Sequence, residues 1–270
     1  MMFVSFNVNS VRVRLHQLSA VIDSLSPDFI GLQETKVTDE EFPEEAIREL
    51  GYQVHFHGQK THYGVALLSR IAPDSIVKGY PTDDEDAQRR LITGHFDIGG
   101  EKLTVINGYF PQGENRNHPV KFPAKKKFYA DLMTYLDELN KKSGHVLIMG
   151  DMNISATDKD IGIGADNAKR WLQTGKCSFL PEEREWLRQV EERGYTDVYR
   201  HLHPDEDSTF SWFDYRSKGF EREPKRGLRI DLLMANDSLL QKATESGVCY
   251  DTRAMERPSD HCPVWAKFEL

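Results

Sequence analysis

Cysteine is scarce in this 270-residue chain: Cys177, Cys249 and Cys262 are its only three, far apart, so neither a disulfide framework nor a CxxC metal site is indicated. They read as reduced, buried or half-buried thiols. Long apolar runs are also missing. The longest are about four to five residues, against the roughly 20 that a membrane-spanning helix needs. The amino terminus, MMFVSFNVNSVRVR, alternates apolar and polar residues where a secretion signal would hold a continuous apolar stretch. The expectation is the first strand of a cytoplasmic protein with no membrane partner. No Pro/Gly/Ser linker, short repeat or low-complexity tract interrupts residues 1–270, which read as one domain. Positive charge is in deficit as well: 35 Lys and Arg face 43 Asp and Glu, a net charge of -8. Such a chain does not hold a polyanion through its overall field, and any polyanion partner must meet a local basic face. The acidic runs Asp39–Glu45 and Asp83–Asp86 read as solvated surface.

What is present suffices for a large core, with 39% hydrophobic and 10% aromatic residues. Leu15, Leu18, Ile22 and Leu25 recur at helical spacing, predicting a helix over 12–25 that stops at Ser26-Pro27. Phe128, Leu132, Leu136 and Leu139 mark a second helix, Pro181 to Gly194 a third and Pro43 to Leu50 a short fourth. Strand-like segments fall at 3–8, 28–33, 52–57, 64–69, 90–97, 102–109, 145–150, 228–235 and 262–268, about twice as many as the helices. Strict βαβ alternation fails, because 52–57 and 64–69 are joined by a loop too short for a crossover helix. Two mixed sheets packed face to face, with helices outside, are the economical α+β architecture.

Polar residues recur at the ends of these apolar segments. Asp151 and Asn153 follow VLIMG, Asn7 sits in FVSFNVN, Glu34 closes FIGLQE, and Asn107 and Tyr109 close LTVINGY. Asp231 interrupts LRIDLLMA, and Asp260-His261 precede CPVWAKF. Taken singly, each is an ordinary strand terminator or cap. Taken together, carboxylates at the margin of a core cost several kcal/mol each unless they are paired or bound to a cation. If Glu34, Asp151, Asp231 and Asp260 converge, an oxygen-lined cluster without cysteine suits a hard cation such as Mg²⁺ or Mn²⁺. Asp231 has a bland alternative, an outward ion pair with Arg229. His261 can bind a phosphate oxygen or move a proton near neutral pH, provided that a carboxylate fixes its tautomer. His55, His57 and His62 in HFHGQKTH lack a second ligand set for zinc.

Two basic stretches invite a nucleic-acid reading. Lys121, Lys125, Lys126 and Lys127 are interleaved with aromatics, and two readings stay open for them: a grip on a phosphate backbone, or the solvated start of a helix. RSKGFEREPKRGLR lies beside FSWFDYR, and aromatics next to arginines suit base or sugar contacts as well as core packing.

Over essentially its whole length the chain resembles the bacterial exonuclease III family, the apurinic/apyrimidinic endonuclease branch of the endonuclease/exonuclease/phosphatase superfamily. The motifs that carry the resemblance are FVSFNVN, GLQETK, HYGVALL, DDEDAQRR, VINGYFPQGE, HPVKFPAK, LIMGDMNIS, GKCSFLPEERE, FSWFDYRSKGF, RGLRIDLL and PSDHCPVW. The resemblance implies a four-layer αββα sandwich of the DNase I-like kind, with the site at one edge of the two sheets. It implies Glu34 as the principal Mg²⁺ ligand, with Mn²⁺ as a substitute, assisted by Asn7, with Asp260 as a further acid. Asp151 matches the acid that orients or deprotonates the attacking water, and Asn153 the amide beside it. Asp231 and His261 match an acid-imidazole pair directed at the scissile phosphate, and Tyr109 a tyrosine at that phosphate. Trp212, Leu228 and Ile230 match the apolar pocket for a base-free sugar, and Gln112, Arg90 and Lys121 match further substrate-binding positions. The implied reactions are 3′→5′ removal of mononucleotides from duplex DNA, incision 5′ to abasic sites, and removal of 3′-phosphates and other 3′-blocks, by a monomer needing no protein partner. Ser10 departs from the family's N-x-N-G opening. Asn9 stands where some relatives carry aspartate, which leaves one metal or two open.

Two rivals share parts of this reading. A superfamily phosphoesterase acting on inositol phosphates or lipids would use the same metal chemistry but not the DNA-facing FSWFDYR, RGLR and lysine-rich helix start. A catalytically inactive DNA-damage-binding module would have no need of the intact set Glu34, Asp151, Asp231 and His261.

Overall fold

The computed structural model describes residues 1–270. Twelve strands form two six-stranded sheets. In chain order they are β1 (Met2–Asn7), β2 (Phe29–Gln33), β3 (Gln53–His57), β4 (Val65–Ser69), β5 (Ser75–Lys78), β6 (Leu91–Ile98), β7 (Glu101–Tyr109), β8 (His145–Asp151), β9 (Tyr195–Asp197), β10 (Asp231–Asn236), β11 (Ala243–Val248) and β12 (Val264–Phe268). The first sheet runs β11-β12-β1-β2-β4-β3 and the second β5-β6-β7-β8-β10-β9. Each sheet is antiparallel except for one central parallel pair, β1 with β2 and β7 with β8. A parallel pair needs a crossover. The helices Leu15–Leu25 and Lys121–Leu139 supply the two crossovers.

Apolar spacing accounts for the layers. Strand β8 reads VLIM because both of its faces are buried: Leu147 and Met149 pack into the core between the sheets, while Val146 and Ile148 pack outward. The outward pair meets the helices Lys121–Leu139 and Pro181–Glu191 through Tyr129, Leu132, Leu136, Trp186 and Val190. On the other side, Val4, Phe6, Ile30 and Leu32 pack against Leu18, Val21 and Ile22 of the first crossover helix. Three apolar layers thus separate four structural ones, helix, sheet, sheet and helix. Burying each large apolar side chain contributes about 1.5–3 kcal/mol.

One polar bridge crosses the middle core. Asn107, fully buried, donates through Nδ2 to the carbonyls of Leu32 (3.0 Å) and Ala66 (2.9 Å), and its Oδ1 accepts from Gln33 Nε2 at 2.6 Å. Gly31 makes room for it, since a Cβ there would lie 2.5 Å from Asn107 Oδ1. Asn107 therefore ties sheet to sheet and takes no part in the polar edge described below.

Several elements differ from the sequence expectation. The first helix starts as a separate 3₁₀ turn, Val11–Val13, and becomes α-helical only at Leu15. Strands β5, β9 and β11 and the helix Ala165–Thr174 were not expected: β5 has no buried residue, β9 has three residues, β11 reads ATESGV, and the helix buries nothing. The segment expected over 228–235 pairs as a ladder only from Asp231; Leu228 before it makes isolated bridges to Ile161 and Trp212. Strands number 12 against eight α-helices, short of the expected two to one. No helix is long and apolar enough to cross a membrane.

Candidate active site

The strand directions gather the polar residues at one edge. Asn7, Tyr109 and Asp151 end β1, β7 and β8, and Glu34 follows β2, so the carboxyl ends of both parallel pairs open on the same side. Open α/β sheets bind ligands outside such ends. Antiparallel neighbours bring their amino ends to that edge: Asp231 starts β10 in register with Asp151, and His261 precedes β12, which pairs with β1.

Asp151, Asp231 and His261 are 1%, 2% and 4% exposed. His261 Nδ1 lies 2.9 Å from Asp231 Oδ2, and its Nε2 lies 3.6 Å from Asp151 Oδ2. Ser211 Oγ donates to Asp231 at 2.6 Å and accepts the backbone N–H groups of Ile230 and Asp231, both at 3.0 Å. Asp231 is therefore turned into the site, and the bland alternative is removed: Arg229 pairs instead with Asp160 (2.7 Å) and Asp197 (2.5 Å). Burial works to lower the His261 pKa, but the Asp231 and Asp151 carboxylates outweigh it and raise it well above the ordinary imidazole value. That favours the protonated, imidazolium form of His261. Burial pushes the Asp151 carboxyl up to about 7; the His261 charge opposes this, while Asp231 and Glu34 add to it.

Glu34 (φ 51°) and Asn153 (φ 53°) both adopt left-handed backbone. Such positions cost of order 1–3 kcal/mol and cluster at functional sites. Asn7 Nδ2 bridges Glu34 Oε1 and Asp151 Oδ2, at 2.9 Å each. Glu34, Asp151 and His261 each present a ligand atom within 4.8 Å of the others. The two carboxylates are hard oxygen donors brought close together, so the pair fits a hard divalent cation, while Asn7 turns its Nδ2 to both and its Oδ1 to the Asn9 N–H. The imidazolium, with no free lone pair, serves as a hydrogen-bond donor.

Asp260 is near this cluster but engaged elsewhere: Asn9 Nδ2 donates to one oxygen (2.9 Å) and Trp212 Nε1 to the other (3.0 Å). Burial works to raise its pKa, but the His261 charge and these two donors outweigh it and keep Asp260 ionised. Beside it opens a cavity of about 250 Å³, lined by Glu34, Tyr109, Gln112, Asp151, Asn153, Trp212, Leu228, Ile230, Asp260 and His261, together with Trp171, Lys176 and Ser178. Past Trp171 and Trp212 it continues into a basic groove of about 360 Å³ carrying Arg170, Lys176, Arg216, Arg222 and Arg226. On the other side of Tyr109, Arg90 and Lys121 line a space of about 290 Å³. Arg90 is 8% exposed, its guanidinium stacked between Tyr63 (4.4 Å) and Tyr109 (4.6 Å). It supports the Tyr109 ring from behind. Burial, with the Glu34 and Asp151 charges, raises the Tyr109 phenol well above its ordinary pKa, so it stays a donor.

All fourteen expected positions thus lie on or beside one edge. Sequence reasoning missed Lys36, which pairs with Glu34 (2.9 Å) and bonds Asn9 Oδ1 (2.6 Å), and it missed Ser211, Trp171 and Lys176. Lys36 was within reach, standing in ETK two residues after Glu34; Trp171 sits on the unanticipated helix. A larger groove, about 870 Å³ beside the helices Ala165–Thr174 and Pro181–Glu191, contains none of these residues, and its arginines are already paired with Asp158 and Glu185.

Comparison with known proteins bears on the same edge. The family model described as the Endonuclease/Exonuclease/phosphatase family matches residues 4–261, from β1 to His261. The chain is 56% identical over 269 residues to an exodeoxyribonuclease III of Haemophilus influenzae, covering 100% of both. Among solved structures it is similar to the 3′ phosphatase NExo from Neisseria bound to a product DNA hairpin, with TM-score 0.91, 34% identity and 100% of both chains covered. It is also similar to an AP endonuclease from Archaeoglobus fulgidus, with TM-score 0.88, 32% identity and 100% of both covered. Sheet order, polar edge and full-length similarity agree, and this chain belongs to the endonuclease/exonuclease/phosphatase family.

Proposed function

We propose that this protein is a metal-dependent DNA repair nuclease that removes mononucleotides 3′→5′ from duplex DNA, incises 5′ to abasic sites and clears 3′-phosphates and other 3′-blocks. The observation that carries this reading is the juxtaposition, in one cavity, of the Glu34, Asp151 and His261 cluster with the apolar walls Trp212, Leu228 and Ile230. The Haemophilus relative is named for the exonuclease activity, and the two solved structures for the 3′-phosphatase and abasic-site activities.

The chemistry follows from the side chains. Asp151, with a pKa near 7, accepts a proton from the attacking water and aims it at phosphorus. His261 donates from Nε2 to a non-bridging phosphoryl oxygen, while Asp231 holds its Nδ1–H and balances its charge. Tyr109 and Asn153 add polar contacts to the same phosphate. A Mg²⁺ ion, or Mn²⁺ in its place, held by Glu34 and Asn7 with Asp260 nearby, would supply countercharge for the developing pentacoordinate centre and the leaving 3′-oxygen. A 250 Å³ pocket walled by Trp212, Leu228 and Ile230 favours a bare sugar over a nucleotide bearing its base. The basic groove supplies the local positive face that a chain of net charge -8 needs for a polyanion, and with Gln112 and Lys121 it would track the DNA strand. We further propose that residues 1–270 act as a single domain and a monomer, in the cytoplasm, without an obligate protein partner.

The decisive experiment is incision of a duplex carrying one abasic site. We expect cleavage 5′ to the site, abolished by EDTA and restored by Mg²⁺, at a rate far above hydrolysis of soluble inositol phosphates. Activity unaffected by EDTA, or a preference for soluble phosphoesters, would overturn the reading.

A further inference from the structure

Of the four lysines at the start of the helix Lys121–Leu139, Lys125 is fully buried and the other three are exposed. Its ammonium is saturated inside the protein. Nζ donates to Glu183 Oε1 (2.5 Å), to the Asn153 carbonyl (2.8 Å) and to the Gln112 carbonyl (3.3 Å), three acceptors for three hydrogens. Glu183, also 0% exposed, uses its second oxygen to accept the Leu180 N–H at 2.9 Å. Lys125 therefore cannot grip a phosphate backbone, and the open choice for these lysines closes differently for this one.

A buried ion pair is a poor stabilising device, because desolvating both charges costs several kcal/mol and a well-packed apolar pair of similar volume often serves the fold equally well. What an apolar pair cannot do is hold two carbonyls. Gln112 and Asn153 both line the catalytic cavity, on different loops. Asn153 is anchored at both ends of its left-handed backbone: its N–H donates to Asp151 Oδ1 at 3.1 Å and its carbonyl accepts from Lys125. The Gln112 loop packs closely on the lysine stem, so that a Cβ at Gly113 would lie 3.0 Å from Lys125 Cδ.

We propose that Lys125 is a positioning residue for phosphodiester hydrolysis: its Nζ fixes the Asn153 turn against the Gln112 loop and, through the Asn153 N–H, orients the Asp151 carboxylate. The proposal rests on the nuclease reading above. Its logic separates two consequences of one ion pair. Folding needs the two charges to be matched or both absent; catalysis needs the Nζ donor that reaches the Gln112 and Asn153 carbonyls.

The test compares Lys125→Met, Glu183→Gln and the double variant Lys125→Met/Glu183→Leu with the wild type. Thermal melts and steady-state incision of an abasic duplex in Mg²⁺ are measured, each assay well below that variant's own Tm. We expect Glu183→Gln to lower Tm but keep kcat within about twofold, because Lys125 still reaches both carbonyls. Lys125→Met should lose about 10- to 100-fold in kcat with KM within about threefold, the scale of a misplaced reacting group. The double variant should recover most of the Tm lost by Lys125→Met without recovering kcat. A double variant with wild-type kcat would overturn the proposal, as would equal kcat losses in Lys125→Met and Glu183→Gln, a comparison that stands even if the double variant does not fold. A wild-type protein that fails to incise in Mg²⁺ would instead sink the nuclease reading.

Discussion

Asp151 and Asp160 are the same residue type at nearly the same depth, 1% and 0% exposed, yet their surroundings treat them oppositely. Asp160 accepts from Arg229 and Arg200, each at 2.7 Å, and from the Thr157 N–H and hydroxyl at 2.9 Å. Burial alone would raise its pKa, but the two guanidiniums outweigh it and hold the carboxyl below its ordinary value. Burial pushes the Asp151 pKa up to about 7: the one imidazolium it meets opposes this, but Asp231 and Glu34 add to it and no guanidinium is there to reverse it. Burial by itself does not mark function; burial with unmatched charge does. Around Asp151 four carboxylates, Glu34, Asp151, Asp231 and Asp260, face two cations, His261 and Lys36, a shortfall that one divalent ion would fill.

The largest effect expected from this contrast is on turnover. Asp151→Asn should lower kcat by about 10²–10⁴-fold, the usual contribution of a positioned base, while duplex affinity measured without turnover stays within about threefold. The same substitution should raise stability in metal-free protein. Because the folded pKa of about 7 exceeds the ordinary 3.8, the native state binds the proton more tightly, and that stability is present at low pH and lost as pH rises from about 4 to 7. Melts at pH 8 in EDTA should therefore put Asp151→Asn a few degrees above wild type; a lower Tm would contradict the unmatched-charge reading.

Asp160→Asn inverts the pattern. It leaves Arg229 short of a partner in the interior and should cost about 3–5 kcal/mol in urea unfolding, with kcat of the folded enzyme changed less than tenfold. Next in size, Trp212→Ala should lower abasic incision about tenfold more than it lowers exonuclease action on plain 3′ ends, and Trp212→Phe, which keeps the ring but loses the bond to Asp260, should fall between. Equal losses on both substrates would remove the pocket argument. The smallest effect belongs to Ser10, whose φ of 89° favours glycine. Ser10→Gly should release strain partly offset by unfolded-state entropy, raising stability by less than about 1 kcal/mol.

Legibility followed periodicity. The expected segments at 3–8, 64–69, 102–109 and 145–150 all correspond to strands that bury apolar side chains, and their polar ends carried Asn7, Tyr109 and Asp151. The helix Ala165–Thr174 carries only a short stripe, Ala168, Trp171 and Leu172, and buries none of its residues fully, so it and Trp171 went unanticipated although the spacing was there to read. Lys125 gave no local sign of burial, sitting in a run of lysines whose other members face water. Asn107 stood at a strand end just like Asp151, and only its bonds to the Leu32 and Ala66 carbonyls separate an inter-sheet bridge from a member of the polar edge.

The amino-acid sequence by itself determined where the apolar core strands lie, that polar groups close them, and, through whole-length motif similarity, the family, though not the short or polar strands β5, β9 and β11. Apolar period and strand-end chemistry are local properties, readable within a few residues. Tertiary structure alone decided which buried acids are matched and which are not. Charge balance is set by neighbours brought together from distant parts of the chain, as when Asp160 meets Arg229 while Asp151 meets Asp231, Glu34 and a single imidazolium.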